Sequence, residues 1–350
     1  MTAAVSVLMP VYDTARYLEA ALASVTAQTF ADFELLVVDD GSKDGSSEIL
    51  RAFAAREPRA RVFHGPNRGL ISARNQLLNE AQAPLIAWMD SDDIALPWRL
   101  ERQVAVFTAR PELLALGGGA VCIDPRGAPL KVERYPLQHA DIVERQRVGG
   151  AFRFPTVMMR RQAARDVGGF REPFVVGEDF DLLVRLAERG QLANLDEPLL
   201  GYRMHLASAS LVHWSRWFPY RDLILELAEE RQRQGSDRLQ RGEALTIPTP
   251  PRAPAPVNDV RLGWALDASA DGFHAAALHH AWDALREAPS RTRCWKTSLR
   301  VAARALTAGR EGPASQPEIA AAVEALAAVT TAAAPKAAAT TAAAQSRASS

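Results

Sequence analysis

The chain of 350 residues holds only two cysteines, Cys122 and Cys294. They are far apart, form no Cys-x-x-Cys pair and match no zinc-ligand spacing, so a disulfide framework is not expected. Charge of one sign is missing too: 41 Lys and Arg balance 41 Asp and Glu. A broad basic face for nucleic acid is therefore not suggested, and nucleic acid is set aside as a partner. No apolar run reaches the length of a membrane span. The start, Met1-Thr2-Ala3-Ala4-Val5-Ser6, has no basic leader and no long apolar stretch, and reads as the beginning of a strand. The simplest expectation is a cytoplasmic protein, any contact with the inner face of a membrane being peripheral. No internal repeat is evident, and nothing in the sequence speaks to oligomeric state.

What is present is an apolar content of 48%, enough for a sizeable core in one large domain with a smaller appendage. Short apolar runs at Val5 to Met9, Phe33 to Val38, Arg61 to His64 and Leu85 to Met89 read as buried strands. Helical spacing lies between them, with Tyr17, Leu18, Ala21, Leu22 and Val25 on one face, capped by Thr14 or Asp13, and later Leu70, Ala73, Leu77 and Leu78. Strands alternating with helices imply βαβ units and a mainly parallel sheet. Right-handed crossovers gather the strand ends, and with them the loops, on one edge, where ligands bind in open α/β sheets. Two of those ends carry acids: Asp39-Asp40 after the second strand, and Asp90-Ser91-Asp92-Asp93 after the fourth. Either could be a solvated turn capping the next helix; together they point at one crevice.

Farther on, Leu113 to Ile123 reads as a strand broken at Gly117-Gly118-Gly119, Lys131 to Tyr135 and Phe154 to Met159 as further strands, and Leu192 to Leu200 and Gly201 to Met204 as two short ones. Gly177-Glu178-Asp179 opens a strong helix, where acids also suit the helix dipole. Residues 1–212 form the main domain on this reading. Residues 213–246 form a helical extension packing on it, with a membrane- or partner-facing amphipathic helix as the other option. A proline-stiffened linker follows at 247–258, then an Ala-rich helical region at 259–329 and a disordered tail at 330–350. His274, His279 and His280 cluster without a neighbouring run of acids or thiolates, which argues against a metal.

Taken in order, Pro10-Val11-Tyr12, Val37-Val38-Asp39-Asp40-Gly41-Ser42, Asn67-Arg68-Gly69, Ala73-Arg74-Asn75, Asp90-Ser91-Asp92-Asp93, Gly177-Glu178-Asp179 and Tyr202-Arg203-Met204-His205 closely resemble the family 2 glycosyltransferases. The likeness covers roughly residues 4–210. It implies an α/β GT-A fold, Rossmann-like, with a mainly parallel mixed sheet flanked by helices and, here, a C-terminal helical extension. It also implies an inverting transferase using a nucleotide-diphospho-sugar donor and a divalent cation, Mn²⁺ or Mg²⁺. Such enzymes serve bacterial surface glycan, polysaccharide or glycoconjugate synthesis, with a glycan, lipid-linked or protein acceptor.

By the same resemblance, Asp92 is the main metal ligand, Asp90 lies near the ribose or the metal's water shell, and His205 completes the metal shell, a buried hydrogen-bonded histidine being its alternative. Asp93 is structural. Asp40 meets the base, Asp39 supports the turn, and Pro10, Val11 and Tyr12 line the nucleoside pocket. Arg68 and Arg74 serve the diphosphate or orient acids, with a structural salt bridge as the other reading for Arg74. Asp179, beside Glu178, is the general base, since the acceptor hydroxyl must lose its proton during attack. A hard cation with oxygen ligands suits a leaving diphosphate. The sequence departs from the family at Asp13, where Asn is common, and at Arg171 in Gly168-Gly169-Phe170-Arg171-Glu172, where an altered acceptor contact is expected. The Gln-x-x-Arg-Trp motif of processive synthases is absent, which favours addition of single sugars. The competing readings are a silent nucleotide-sugar-binding or scaffold protein and a sugar nucleotidylyltransferase, for which residues 5–16 lack the glycine-rich signature.

Overall fold

The computed structural model describes residues 3–208, 214–246, 257–307 and 313–333. Four parallel strands form its first half: β1 (Val5–Val11), β2 (Phe33–Asp39), β3 (Ala60–His64) and β4 (Leu85–Trp88), side by side as β3-β2-β1-β4. Helices α1 (Ala15–Thr26), α2 (Ser46–Ala54) and α3 (Leu70–Glu80) make the crossovers. β1 is buried along its whole length, which is why it reads as a continuous apolar run and not as an alternation.

Beyond β4 the sheet becomes mixed. β5 (Ile94–Ala95) follows the acidic turn, and α4 (Arg99–Ala109) leads into β6 (Leu113–Ile123), whose hairpin partner is β7 (Pro129–Glu133). After α5 (His139–Gln146) and a short 3₁₀ turn come β8 (Met158–Arg160), α6 (Arg161–Asp166), α7 (Glu178–Ala187) and β9 (Gln191–Arg203). The order continues β4-β8-β6-β9-β5, with β8 antiparallel to both neighbours and β6 parallel to β9. One apolar cluster lies on each face of the sheet, around Leu18, Leu22 and Leu100 on one side and Leu77, Phe154 and Leu182 on the other. The α/β architecture, a mainly parallel mixed sheet flanked by helices with helices again at the C-terminal end, agrees with the expectation.

Several local expectations differ. β6 is unbroken at its three glycines, and the pairing with β9 shifts register there instead. A Cβ on Gly117 would sit 2.4 Å from the Asn194 amide oxygen, and one on Gly118 2.5 Å from a Leu199 methyl. These glycines let neighbours press onto the strand; they do not end it. β9 is one strand of 13 residues, where two short strands were expected. Phe154–Thr156 is the 3₁₀ turn, so the strand expected from Phe154 begins only at Met158. Thr14 stands at the N-cap of α1 but makes no side-chain cap bond; the Ala15 amide donates instead to Asp44 Oδ2 at 2.8 Å from the next loop.

Past the sheet, α8 (Trp214–Gln234) lays Tyr220, Leu223, Ile224 and Leu227 against Phe174, Phe180 and Val184, so its apolar face is covered by the main domain and not offered to a membrane. Helices α9 (Val257–Ala270), α10 (His274–Glu287) and α11 (Thr292–Thr307) form a small bundle whose core includes Cys122 and Leu130 of the β6–β7 hairpin. The histidines do find acids in space: His280 Nε2 lies 3.2 Å from the buried Asp124 carboxylate, and His279 Nε2 lies 3.0 Å from Asp283. Finally α12 (Pro317–Ala333) covers Ile94, Leu96, Val121 and Ile123 with Ala322 and Leu326. It continues past residue 330, where a disordered tail was expected to start; residues 334–350 and the proline-rich stretch at 247–256 lie outside the described residues. Among those described, no helix is long and apolar enough to cross a membrane.

Candidate active site

The parallel strands end on one edge at Val11, Asp39, His64 and Trp88. The sharp loop after β2 owes its shape to Gly41 (φ +77), whose missing Cβ would meet the Asn67 amide nitrogen at 2.7 Å. Asp39 is buried there. Its carboxylate accepts from the Ser42 amide at 3.0 Å, from the Ser47 hydroxyl and from His64 Nδ1 at 3.0 Å. Burial pushes this carboxyl up, but the bonds from Ser47, Ser42 and His64 outweigh it and hold the group below its ordinary range. Asp40 is equally engaged: its two oxygens accept the Arg68 and Gly69 amides at 2.7 and 2.8 Å, where α3 begins. The Arg68 side chain is exposed. A cleft of about 180 Å³ opens here among Asp39, Asp40, His64, Pro66, Arg68 and Gln76. Another cavity, about 290 Å³, lies among the C-terminal helices beside Asp267 and Arg300 and touches none of these groups.

Of the expected nucleoside contacts, Pro10 and Val11 are buried, and Val11 belongs to the core cluster; Tyr12 alone opens onto the edge. Asp13 adopts a left-handed conformation (φ 50), which Asp tolerates better than most residues. Its carboxylate accepts the Lys43 amide at 2.7 Å, and its own amide donates to Ser42 Oγ at 3.1 Å. Asp13 thus splices the loop after β1 to the loop after β2.

The second acidic turn is built differently. β4 ends against Arg99, buried beneath the turn, whose Nη2 donates to the Trp88 carbonyl at 2.7 Å. Burial lowers the Arg99 guanidinium to about 10 against the pull of Asp93 and Asp90. Ligand oxygens of Asp90, Asp92 and Asp93 lie within 4.8 Å of one another. Asp93 is buried; one oxygen accepts the Arg203 amide at 2.7 Å, and the other, Oδ2, has no partner among the described residues. Burial and the charges of Asp92 and Asp90 raise the Asp93 carboxyl well above the usual range. Asp90 is pushed up to about 6 by burial and by Asp92 and Asp179, against Arg74. Asp92 Oδ2 lies 2.9 Å from His205 Nε2, and the His205 ring sits 5.1 Å from that of Tyr17. Arg203 closes this corner, donating from Nε to the Asp92 carbonyl at 2.8 Å and stacking over Tyr17.

Three crowded carboxylates, one of them with an unpaired buried oxygen, are a donor set that fits a hard divalent cation: oxygen ligands close together and an excess of negative charge.

Arg74 joins this turn to α7. It is buried over the rings of Phe154 and Phe170. Its Nη1 donates to Glu178 Oε1 at 2.6 Å, and its Nη2 stands 3.5 Å from Asp90 Oδ1. The guanidinium therefore orients acids and does not itself open onto the edge. Burial raises Glu178 to about 7 despite Arg74, with Asp179 adding to the rise. Asp179 is half-buried; its one hydrogen bond among the described residues is from the Phe180 amide, at 2.7 Å, and no ion pair reaches it. Gly177 (φ +76) turns the chain into α7, with Trp217 of α8 packed against it and against the Phe180 ring. Arg171 does not face this crevice. It binds Asp181 and, at 2.6 Å, Asp237, tying the loop before α7 to the segment after α8.

Sequence reasoning gave no site role to Arg99, Tyr17, Arg203 or Trp217, although Arg203 stands inside a quoted motif. Arg99 could have been noticed as a basic residue in helical register with Gln103 and Phe107 on the buried face of α4. Trp217 follows Arg216, with His213 at the position where the processive motif has Gln.

The family model for Glycosyl transferase family 2 matches residues 6–168. The amylovoran biosynthesis glycosyltransferase AmsE of Erwinia amylovora is 31% identical over 222 residues, covering 61% of this chain and 80% of that protein. The putative glycosyltransferase EpsE of Bacillus subtilis is 31% identical over 204 residues, covering 57% and 72%. Other relatives are longer: the chain spans 35% of two uncharacterized glycosyltransferases of Rickettsia species. Among solved structures, S. aureus TarS 1–349 in complex with UDP-GlcNAc superposes with a TM-score of 0.50 at 19% identity, covering 85% of this chain and 88% of that one, a likeness of fold.

Proposed function

We propose, since the chain belongs to glycosyl transferase family 2, that it moves a single sugar from a nucleotide-diphospho-sugar to an acceptor hydroxyl, with inversion at the anomeric carbon. The observation that carries this reading is the Asp90–Arg74–Glu178 bridge. It ties the start of α7 to the end of β4, so that the acids of the turn and the carboxylate of Asp179 share one crevice. Within the Glu178-Asp179 pair, Glu178 is held by Arg74, which leaves Asp179 as the carboxylate free to meet the acceptor hydroxyl.

The chain's own groups divide the work. The first acidic turn, with Asp40 and Arg68 around the cleft and Tyr12 exposed on the same strand edge, receives the nucleoside and its diphosphate; each Asp40 oxygen has a second lone pair for a donor on the base. Asp92 and Asp90, with His205 beside them, would hold Mn²⁺ or Mg²⁺, which supplies charge neutralisation for the departing diphosphate. Asp179 accepts the proton of the acceptor hydroxyl as that oxygen attacks. Arg74 keeps Glu178 and Asp90 in place, and Arg99 and Arg203 brace the turn from below and from the side. Single addition is supported by the incomplete processive motif. Relatives named for O-antigen and amylovoran biosynthesis support a part in bacterial surface glycan synthesis, with a glycan, lipid-linked or protein acceptor as the classes to test.

The test is Asp179→Asn. Transfer should fall by about 10² to 10⁴-fold, as loss of a general base typically costs, while calorimetric affinity for UDP- or GDP-sugar in Mn²⁺ stays the same. Unimpaired turnover in that variant would remove Asp179 from the base role.

A further inference from the structure

The C-terminal bundle carries a surface that sugar transfer does not explain. On α11 the residues divide into three stripes by helical spacing. Cys294 and Val301 face inward. Trp295, Leu299 and Leu306 fall on a second stripe and face out, Trp295 being 51% and Leu299 66% exposed. Arg293, Lys296, Arg300 and Arg304 make the third. Neighbouring α10 adds Leu278 and Trp282, the latter 60% exposed. Ser298 Oγ donates to the Ala281 carbonyl at 3.1 Å, while Cys294 shares a cluster with Ala284, Leu285 and Ala288. The two helices are therefore antiparallel, with Leu299 level with Leu278 and Trp282. The Trp295 indole N–H is satisfied by the Pro289 carbonyl at 2.9 Å, which holds the ring on the surface.

Charge sharpens the picture. Between Ala288 and Thr307 stand five bases, Arg291, Arg293, Lys296, Arg300 and Arg304, and no acid, in a chain whose charges cancel overall. Arg291 and Arg293 lean on Asp259 of α9 at 3.5 and 3.3 Å. Lys296 and Arg300 stand exposed beside the apolar stripe.

We propose that the outer face of α10 and α11 docks on an anionic lipid surface, α11 lying in the plane of the bilayer. Trp282, Trp295 and Leu299 enter the headgroup–acyl boundary, and Lys296 and Arg300 sit over anionic headgroups. Exposed tryptophans flanked by bases have the composition of interfacial helices, and anionic lipid attracts each such base. A second copy of the chain is the poorer occupant, because it would bring the same basic stripe against this one. The proposal does not depend on the sugar-transfer reading.

Sedimentation of the full chain with phosphatidylcholine vesicles, and with vesicles containing phosphatidylglycerol as well, tests it. Binding is expected only to the anionic vesicles, with a blue shift of tryptophan emission and weakening in salt. Trp295→Ser combined with Leu299→Ser should abolish most of it, and Lys296→Gln and Arg300→Gln should each weaken it about five-fold. Equal sedimentation with both vesicle types would overturn the proposal, as would a blue shift that grows with protein concentration in the absence of lipid. Should the serine variant fail to fold, the wild-type comparison of the two vesicle types and the glutamine variants decide the matter alone.

Discussion

Two strand ends in this molecule carry acids, and they are built to opposite rules. After β2, Asp39 and Asp40 are met by three amides, a hydroxyl and an imidazole. After β4, Asp93 keeps one buried oxygen without a partner, and Asp90 has a guanidinium only at 3.5 Å. The electrostatics follow the partners. Asp39 is held below the ordinary carboxyl range, whereas Asp90 and Asp93 are pushed above it. The first turn is complete as a piece of protein and presents a finished shape to a nucleoside. The second carries an excess of negative charge that a cation would relieve. An acid's place in a sequence motif therefore says less about its task than the count of donors around it does.

The comparison is broken most severely by substituting each turn in kind. Asp92→Asn should cost metal-dependent donor affinity more than the roughly 10–100-fold that loss of an outer partner costs a metal site, with little change in unfolding. Titration calorimetry with a UDP- or GDP-sugar, with and without Mn²⁺, reads this directly. Unaltered affinity in metal would take Asp92 out of the ligand set. Asp39→Ala should behave in the opposite way: hydrogen bonds to a charged group are lost in a buried turn, for about 2–3 kcal/mol of stability in a urea titration. A melt that does not move would mean that Ser42, Ser47 and His64 are satisfied equally well by water.

How much of this was legible in the chain depends on what the signal was made of. β1, β2 and β4 are short apolar runs buried on both faces, and both acid turns lie where such runs stop. The α7 start was visible in Gly177-Glu178-Asp179. The second half of the sheet was harder. β9 pairs with β6 across about 80 residues, and the glycines that read as a break are where Asn194 and Leu199 press in. Arg171 and Arg74 show the same limit in the site: a guanidinium among acids is evident from sequence, but which acid it binds is decided by packing, here Asp181 and Asp237 for one and Glu178 for the other.

An effect of similar size should appear in the pH dependence. Glu178, raised to about 7, binds its proton more tightly in the folded chain than in the unfolded one, whose Glu titrates near about 4.3. The folded state thus holds more protons between those values, and stability should fall as pH rises through that window, by on the order of 3 kcal/mol. Asp39 has the reverse sign: its contribution is present above the unfolded carboxyl pKa and is lost as pH falls through its lowered folded value. Thermal melts in chelator across this range should therefore peak on the acid side of neutrality, and Glu178→Gln should flatten the neutral limb. A wild-type curve rising steadily from pH 5 to pH 8 would show that Arg74 keeps Glu178 ionised throughout.

The least effect, and the one most particular to the comparison, concerns Asp93. Asn at this position keeps an oxygen for the Arg203 amide and removes a charge crowded by Asp90 and Asp92. Without metal, Asp93→Asn should raise stability, since burial and the charges of Asp92 and Asp90 both disfavour a third carboxylate there, while the extra stability gained on adding Mn²⁺ becomes smaller. The same substitution at Asp39 must destabilise, because there the charge is what the donors hold. Opposite signs for one chemical change at two strand ends on the same edge separate charge excess from hydrogen-bond demand. If Asp93→Asn destabilises the metal-free chain as well, then Oδ2 has a donor after all, and the second turn is as complete as the first.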